Sequence, residues 1–346
     1  MASISVRPAT LASGLTLPYA ETGDPAGTTV VFVHAFVESW RYFEVVLRHL
    51  PASLHGYAPT QRGHGDADRP PDGYRPEDFA ADIVDFMDAV GVHRAVLVGS
   101  SSGGLVSQFV ASSHPDRLSA LVLISSPTTL ADKPGVQVMW EKIAVLEDPL
   151  DRDFVEEFVR STAPESVPEE FVDVLVEESL KVPARVWKET LRGLIEADVP
   201  VNLDRITAPT LLISGDHDAF VSIDQDLILR GIPDARLVVH KGYGHAVHLA
   251  QPDRVIDDFV EFWRRRSRPR AHEPRDRCSP SRWPAGARSD LRITSRKQGI
   301  SLDPITPAPV RRRPRWSIKV LAVGCQRGCQ PSPLLQRPWP PEHGQC

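Results

Sequence analysis

Three runs of branched apolar residues constrain this chain more than any other feature. "TVVFVH" (29–34), "RAVLVG" (94–99) and "LSALVLIS" (118–125) carry no alternating polar positions, so a strand built from any of them has no face to give to water. Such strands belong inside a mainly parallel sheet with helices over both faces. Between the first two runs, "PEDFAADIVDFMDAVGV" (76–92) opens on proline. It sets Phe79, Ile83, Phe86, Met87 and Val90 at three-to-four spacing, which predicts a helix. The first 125 residues therefore read as strands and helices taking turns, an α/β chain.

After Pro127 the texture changes. "PGVQVMWEKIAVLED", "RDFVEEFVRS", "PEEFVDVLVEESL" and "PARVWKETLRGLIEA" repeat their apolar residues at helical spacing, and proline opens or closes most of them. Strand-like runs resume with "PTLLISG" (209–215) and "ARLVVH" (235–240), and a last helix is predicted from Pro252 to about Arg266. This order predicts one α/β domain (1–127 and 207–266) carrying an all-helical insertion, a cap, at 128–206.

The formal charge of -5 conceals an asymmetry. Residues 271–346 hold 14 Lys+Arg against 5 Asp+Glu, together with 12 prolines and all four cysteines (Cys278, Cys325, Cys329, Cys346). Prolines at that density block regular structure, and little apolar surface is left to offset the entropy of ordering. The expectation for 267–346 is a disordered tail whose removal leaves activity intact. The body is acidic, which gives no reason to expect nucleic-acid binding, and it holds no cysteine for disulfide or thiol chemistry. No apolar run approaches 18 residues and no leading basic-then-apolar segment is present, so a soluble cytoplasmic protein is expected. Oligomeric state has no signature in the sequence.

"AVLVGSSSGGLVSQF" (95–109) joins a buried strand to a helix through three serines. A serine on a tight strand-to-helix turn needs small residues two positions before and two after, because the reversal brings those backbones together. Ser101 has Gly99 and Gly103 there. Ser100 would need Val98 to be small, and Ser102, between Ser100 and Gly104, is the weaker fit. A plain Gly/Ser turn is the competing reading.

Four further stretches complete a pattern. "VFVHAF" (31–36), "APTQRGHGDADRP" (58–70), "VGSSSGG", "PTLLISGDHDAFV" (209–221) and "GYGHAVHLAQPDRV" (242–255) resemble, in order, the oxyanion strand end, following loop, nucleophile elbow, acid loop and histidine loop of the α/β-hydrolase superfamily. The resemblance covers residues 1 to about 266 and implies a mainly parallel sheet of the eight-stranded type, flanked by helices, with a helical cap.

By position in those motifs it implies Ser101 as nucleophile, Asp218 as acid and His245 as base. A serine hydroxyl needs such a base, and the base a carboxylate to orient it. Asp216 is the rival acid, read instead as a turn residue, and His248 the rival base. His34 and His64 are assigned to holding loops. The oxyanion donors that the resemblance implies are the backbone amides of Phe36 and Ser102. Ala35 and Val37 stand where relatives often have Gly and Pro, and Thr60 replaces a common acidic residue.

A serine at position 101 argues against haloalkane dehalogenase and epoxide hydrolase chemistry, which in this fold uses an aspartate. Acyl transfer on small, rather apolar esters or lactones is the expected function. The alternatives are cofactor-free haloperoxidase-like perhydrolysis, C–C bond hydrolysis, or a ligand receptor on the same fold. No phosphate loop or ligand cluster is read, so no cofactor and no metal are expected. Met139, Trp140, Phe158 and Trp187 are candidates to wall an apolar pocket, with packing of helices onto the body as the competing reading.

Overall fold

The computed structural model describes residues 3–164, 166–197 and 202–267. The tail expectation for 267–346 lies outside the described residues apart from Ser267, which ends the last helix. Eight strands form one sheet: β1 (Ser5–Thr10), β2 (Thr16–Gly23), β3 (Thr28–Val33), β4 (Leu54–Pro59), β5 (Ala95–Ser100), β6 (Leu118–Ile124), β7 (Thr210–Gly215) and β8 (Ala235–His240), in the order β1-β2-β4-β3-β5-β6-β7-β8. From β4 to β8 all neighbours run parallel, and β1/β2 and β2/β4 are antiparallel. Every residue of β5 and β7 is buried, as their apolar runs require, and β4 is buried throughout as well although it carries His55. β1 and β8, at the two edges, are largely open to solvent.

The helices are α1 (Glu44–Arg48), α2 (Pro76–Ala89), α3 (Ser102–Ser113), α4 (Pro134–Ile143), α5 (Arg152–Thr162), α6 (Glu169–Leu180), α7 (Ala184–Glu196), α8 (Ser222–Gly231), α9 (Val247–Ala250) and α10 (Pro252–Ser267). α2 starts where the sequence indicates: Pro76 takes the first helical position, and the Arg75 amide donates to Asp78 Oδ2 at 3.0 Å. Its Phe79, Ile83, Phe86 and Met87 are buried. Among the described residues no helix is long and apolar enough to cross a membrane.

α4 to α7 all fall between β6 and β7, with no strand among the described residues there. The insertion is tied down at both ends. Thr128 donates its amide to buried Asp224 of α8 at 2.7 Å, and Lys133 pairs with the same carboxylate at 2.8 Å. On the far side Arg185 of α7 donates to the carbonyls of Pro70 and Pro71, and Lys181 pairs with Asp66.

Strand order reverses beside β3 and β5, since β3 continues to β4 on one side and β5 to β6 on the other. A crevice opens at such a reversal, outside the carboxyl ends of the strands.

Candidate active site

Four loops leave the carboxyl ends of β3, β5, β7 and β8 and meet at that crevice. β5 enters α3 through Ser101, which sits at φ +52°, ψ −122°. Only a strongly constrained turn holds a non-glycine residue there. The Ser101 amide donates to Ile124 O at 2.9 Å, and its carbonyl accepts from the amides of Gly104 and Leu105, which starts the helix. A Cβ on Gly99 would strike Gly103 O, and one on Gly103 would strike the carbonyls of Val33 and His34. The two glycines thus let the turn close on itself and on the end of β3.

His245, on the loop between β8 and α9, bridges the loops after β5 and β7. Its Nε2 lies 2.9 Å from Ser101 Oγ and its Nδ1 2.9 Å from Asp218 Oδ2. Since a carboxylate only accepts, Nδ1–H donates to Asp218 and Nε2 is left to accept from the serine hydroxyl. Asp218 is 2% exposed, and its other oxygen accepts from the amides of Phe220 and Val221. Burial alone would raise this carboxyl; the hydrogen bond and charge of His245 and the two amides outweigh it and hold it below the usual aspartate range. Asp216 instead accepts from the Gly242 amide at 2.6 Å, bracing the β7 loop against the β8 loop.

His248 is fully buried against Tyr42 and Phe43, without a well-formed hydrogen bond at either ring nitrogen, and burial pushes it down to about 3. Buried His34 donates from Nδ1 to Ala35 O and accepts at Nε2 from the Gln61 amide. Gln61 also donates its side-chain N–H to His34 O, so the ring ties the loop after β3 to the loop after β4. His64 Nδ1 donates to Arg62 O across its own turn.

The loop after β3 carries Phe36, and its amide and that of Ser102 are free of turn, loop and cap hydrogen bonds among the described residues. Val37 follows at φ +57°, which a proline ring cannot adopt and a β-branched residue adopts only under constraint.

A cavity of about 360 Å³ lies over Ser101 and His245. Met139 of α4 and Phe158 of α5 line it, as do Phe36, Phe154 and Phe220, the last edge-on to the His245 ring. Trp140 and Trp187 do not line it, which corrects the sequence expectation for both. Trp187 is wholly buried behind the wall, edge-on to Phe36 and Phe158 and tilted against Phe154. Trp140, one residue from Met139, is turned by the helical repeat toward α7, where the Arg192 guanidinium covers its ring. Glu38 and Tyr42 line the cavity without having been singled out in the sequence. An isolated glutamate after a strand usually faces water, and only the fold reveals that this one does not.

The profile of the alpha/beta hydrolase family matches residues 30–258. The chain belongs to the alpha/beta hydrolase family. Among curated relatives, lipase 1 of Psychrobacter immobilis is 25% identical over 271 residues, spanning 75% of this chain and 84% of its own. The 2-(acetamidomethylene)succinate hydrolase of Mesorhizobium japonicum is 26% identical over 261 residues, or 72% and 91% of the two chains. Among solved structures, esterase RhEst1 from Rhodococcus sp. ECU1013 superposes with a TM-score of 0.66 at 26% identity, covering 75% of this chain and 98% of that one. This hydrolase thus shares its fold with an esterase over nearly the whole of the latter.

Proposed function

We propose that this chain is a serine hydrolase of small, rather apolar carboxylic esters or lactones, acting through an acyl-enzyme. The observation that carries the reading is the continuous hydrogen-bond chain Ser101–His245–Asp218, with its serine end under a mostly apolar cavity. Ser101 Oγ attacks the carbonyl carbon as His245 Nε2 takes its proton, and Asp218 holds the imidazole and stabilises the imidazolium. The carbonyl oxygen becomes an oxyanion held by the Phe36 and Ser102 amides. Collapse expels the alcohol, which receives the proton from His245 and leaves the acyl group on Ser101. Water, deprotonated by His245, then attacks the ester and releases the acid. The four inserted helices serve as the cap that keeps this step shielded.

The relatives named as lipase and esterase support ester chemistry. Turnover of p-nitrophenyl esters and lactones of graded acyl length tests it. The wild type should hydrolyse part of the series, and Ser101→Ala should lower that rate by roughly 10⁶-fold with melting temperature retained. Full activity in Ser101→Ala, or no turnover across the series by the wild type, would contradict it.

A further inference from the structure

The reaction above uses Ser101, His245, Asp218 and two amides, and leaves one acid of the cavity wall without a task. Glu38 lines the cavity beside Phe36, Tyr42 and Ser101, is 4% exposed, and its Oε2 is buried with no hydrogen-bond partner. Among the described residues no Lys, Arg or His nitrogen lies within ion-pair distance of it. The Glu178 carboxylate, which faces it from α6, is itself held by Lys181 and Arg41. A buried carboxylate without a cation is costly, so the group resists ionisation. Burial first, and then the Glu178 charge, push the Glu38 carboxyl well above its usual range. In that form it both donates and accepts a hydrogen bond.

The rest of the wall points the same way. Among the described residues that line the cavity Lys142 is the single Lys or Arg, and it pairs with Glu157 at 3.0 Å. His245 is committed to Ser101 and Asp218. Among the described residues of the wall no unpaired cation is left to neutralise a substrate carboxylate, while an oxygen that is polar but uncharged would satisfy the unpartnered acid.

We propose that Glu38 is a substrate-binding residue that exchanges a hydrogen bond with an uncharged oxygen of the substrate, a hydroxyl or keto group beyond the scissile ester, and that the cavity rejects substrates bearing a carboxylate. This deepens the ester and lactone reading and rests on it for the reaction, though not for the binding.

The test therefore measures binding. Ser101→Ala protein, which holds esters without turning them over, is titrated calorimetrically with three sets of probes. These are methyl alkanoates, the same esters hydroxylated at carbon 2, 3 or 4, and monomethyl dicarboxylates of equal length. At least one hydroxylated ester should bind about tenfold or more tighter than its parent, and the carboxylates about tenfold or more weaker. Adding Glu38→Gln should keep the hydroxyl preference within about threefold, since the amide still donates and accepts, and Glu38→Leu should erase it. Glu38→Ala carries the same expectation as Glu38→Leu should the latter not fold. Equal binding of parent and hydroxylated esters, carboxylates bound as well as parents, or a preference that survives Glu38→Leu would each overturn the proposal. Wild-type turnover of the parent esters is followed in parallel. Its absence with the binding preference intact refutes the ester reading and leaves Glu38 in place; turnover without the preference refutes Glu38 alone.

Discussion

Asp216 and Asp218 leave β7 two residues apart and end with different partners, a loop amide for the first and the His245 ring for the second. Asp218→Asn should therefore lower kcat/KM by roughly 10³–10⁴-fold with the fold intact, because an amide at that site favours the wrong imidazole tautomer. Asp216→Asn should stay within about threefold of wild type and lose on the order of 1 kcal/mol of stability with its hydrogen bond. Steady-state kinetics and denaturant titration separate the two. "GDHD" by itself does not choose between them. The choice came from the family motif, and the structure sets the chosen carboxylate against His245. For Ser101 the constraint is local and physical: only that serine has glycine on both sides at the spacing the turn demands, and both glycines meet backbone where a Cβ would sit. Glu38 was not legible, because its burial is produced by α6 and the loop after β3, which are far apart in sequence.

β3, β5, β6 and β7 carry apolar runs that mark them as strands in the sequence, whereas β4, with His55 and Gly56 in it, and β1, β2 and α8 do not. β1 is an edge strand with Pro8 in it, and β2 mixes Pro18 and Glu21 into a half-buried pattern. α8 leaves Ile223 and Leu227 exposed, which blurs its amphipathic signal. The inserted helices were legible as helices, but periodicity does not say which apolar side chains face a cavity and which face a neighbouring helix. Trp187 and Phe158 illustrate the difference. Trp187→Ala empties a fully buried site and should cost about 3–5 kcal/mol, read as a large fall in melting temperature. Phe158→Ala should act chiefly on the cavity, raising KM for longer acyl chains with a smaller loss of stability. Equal thermal losses in the two variants would contradict this division between wall and support.

For the molecule as a whole, three buried histidines weaken the fold toward acid, while Glu38, whose carboxyl burial holds well above its usual range, acts in the opposite sense. His34, His64 and His248 are all held below their usual range by burial, His64 at about 4 and His248 at about 3, with His64 adding to the effect on His34. Below about pH 6.5 the unfolded chain binds protons at these sites and the folded chain does not, so stability falls as pH falls toward the folded values. His64 and His248 should each contribute on the order of 2 kcal/mol of loss by pH 5, with His34 adding in the same direction. Denaturant unfolding at pH 7.5, 6 and 5 checks this, and His248→Leu should flatten the slope by about one proton; an unchanged slope would contradict it. The proposed chemistry turns on a single atom, Ser101 Oγ, whose reactivity a covalent label reports. Treatment of the full chain with a fluorophosphonate, followed by peptide mapping, should give one adduct, on Ser101, with Ser100 and Ser102 unmodified. No adduct, or an adduct on another residue, would contradict the account.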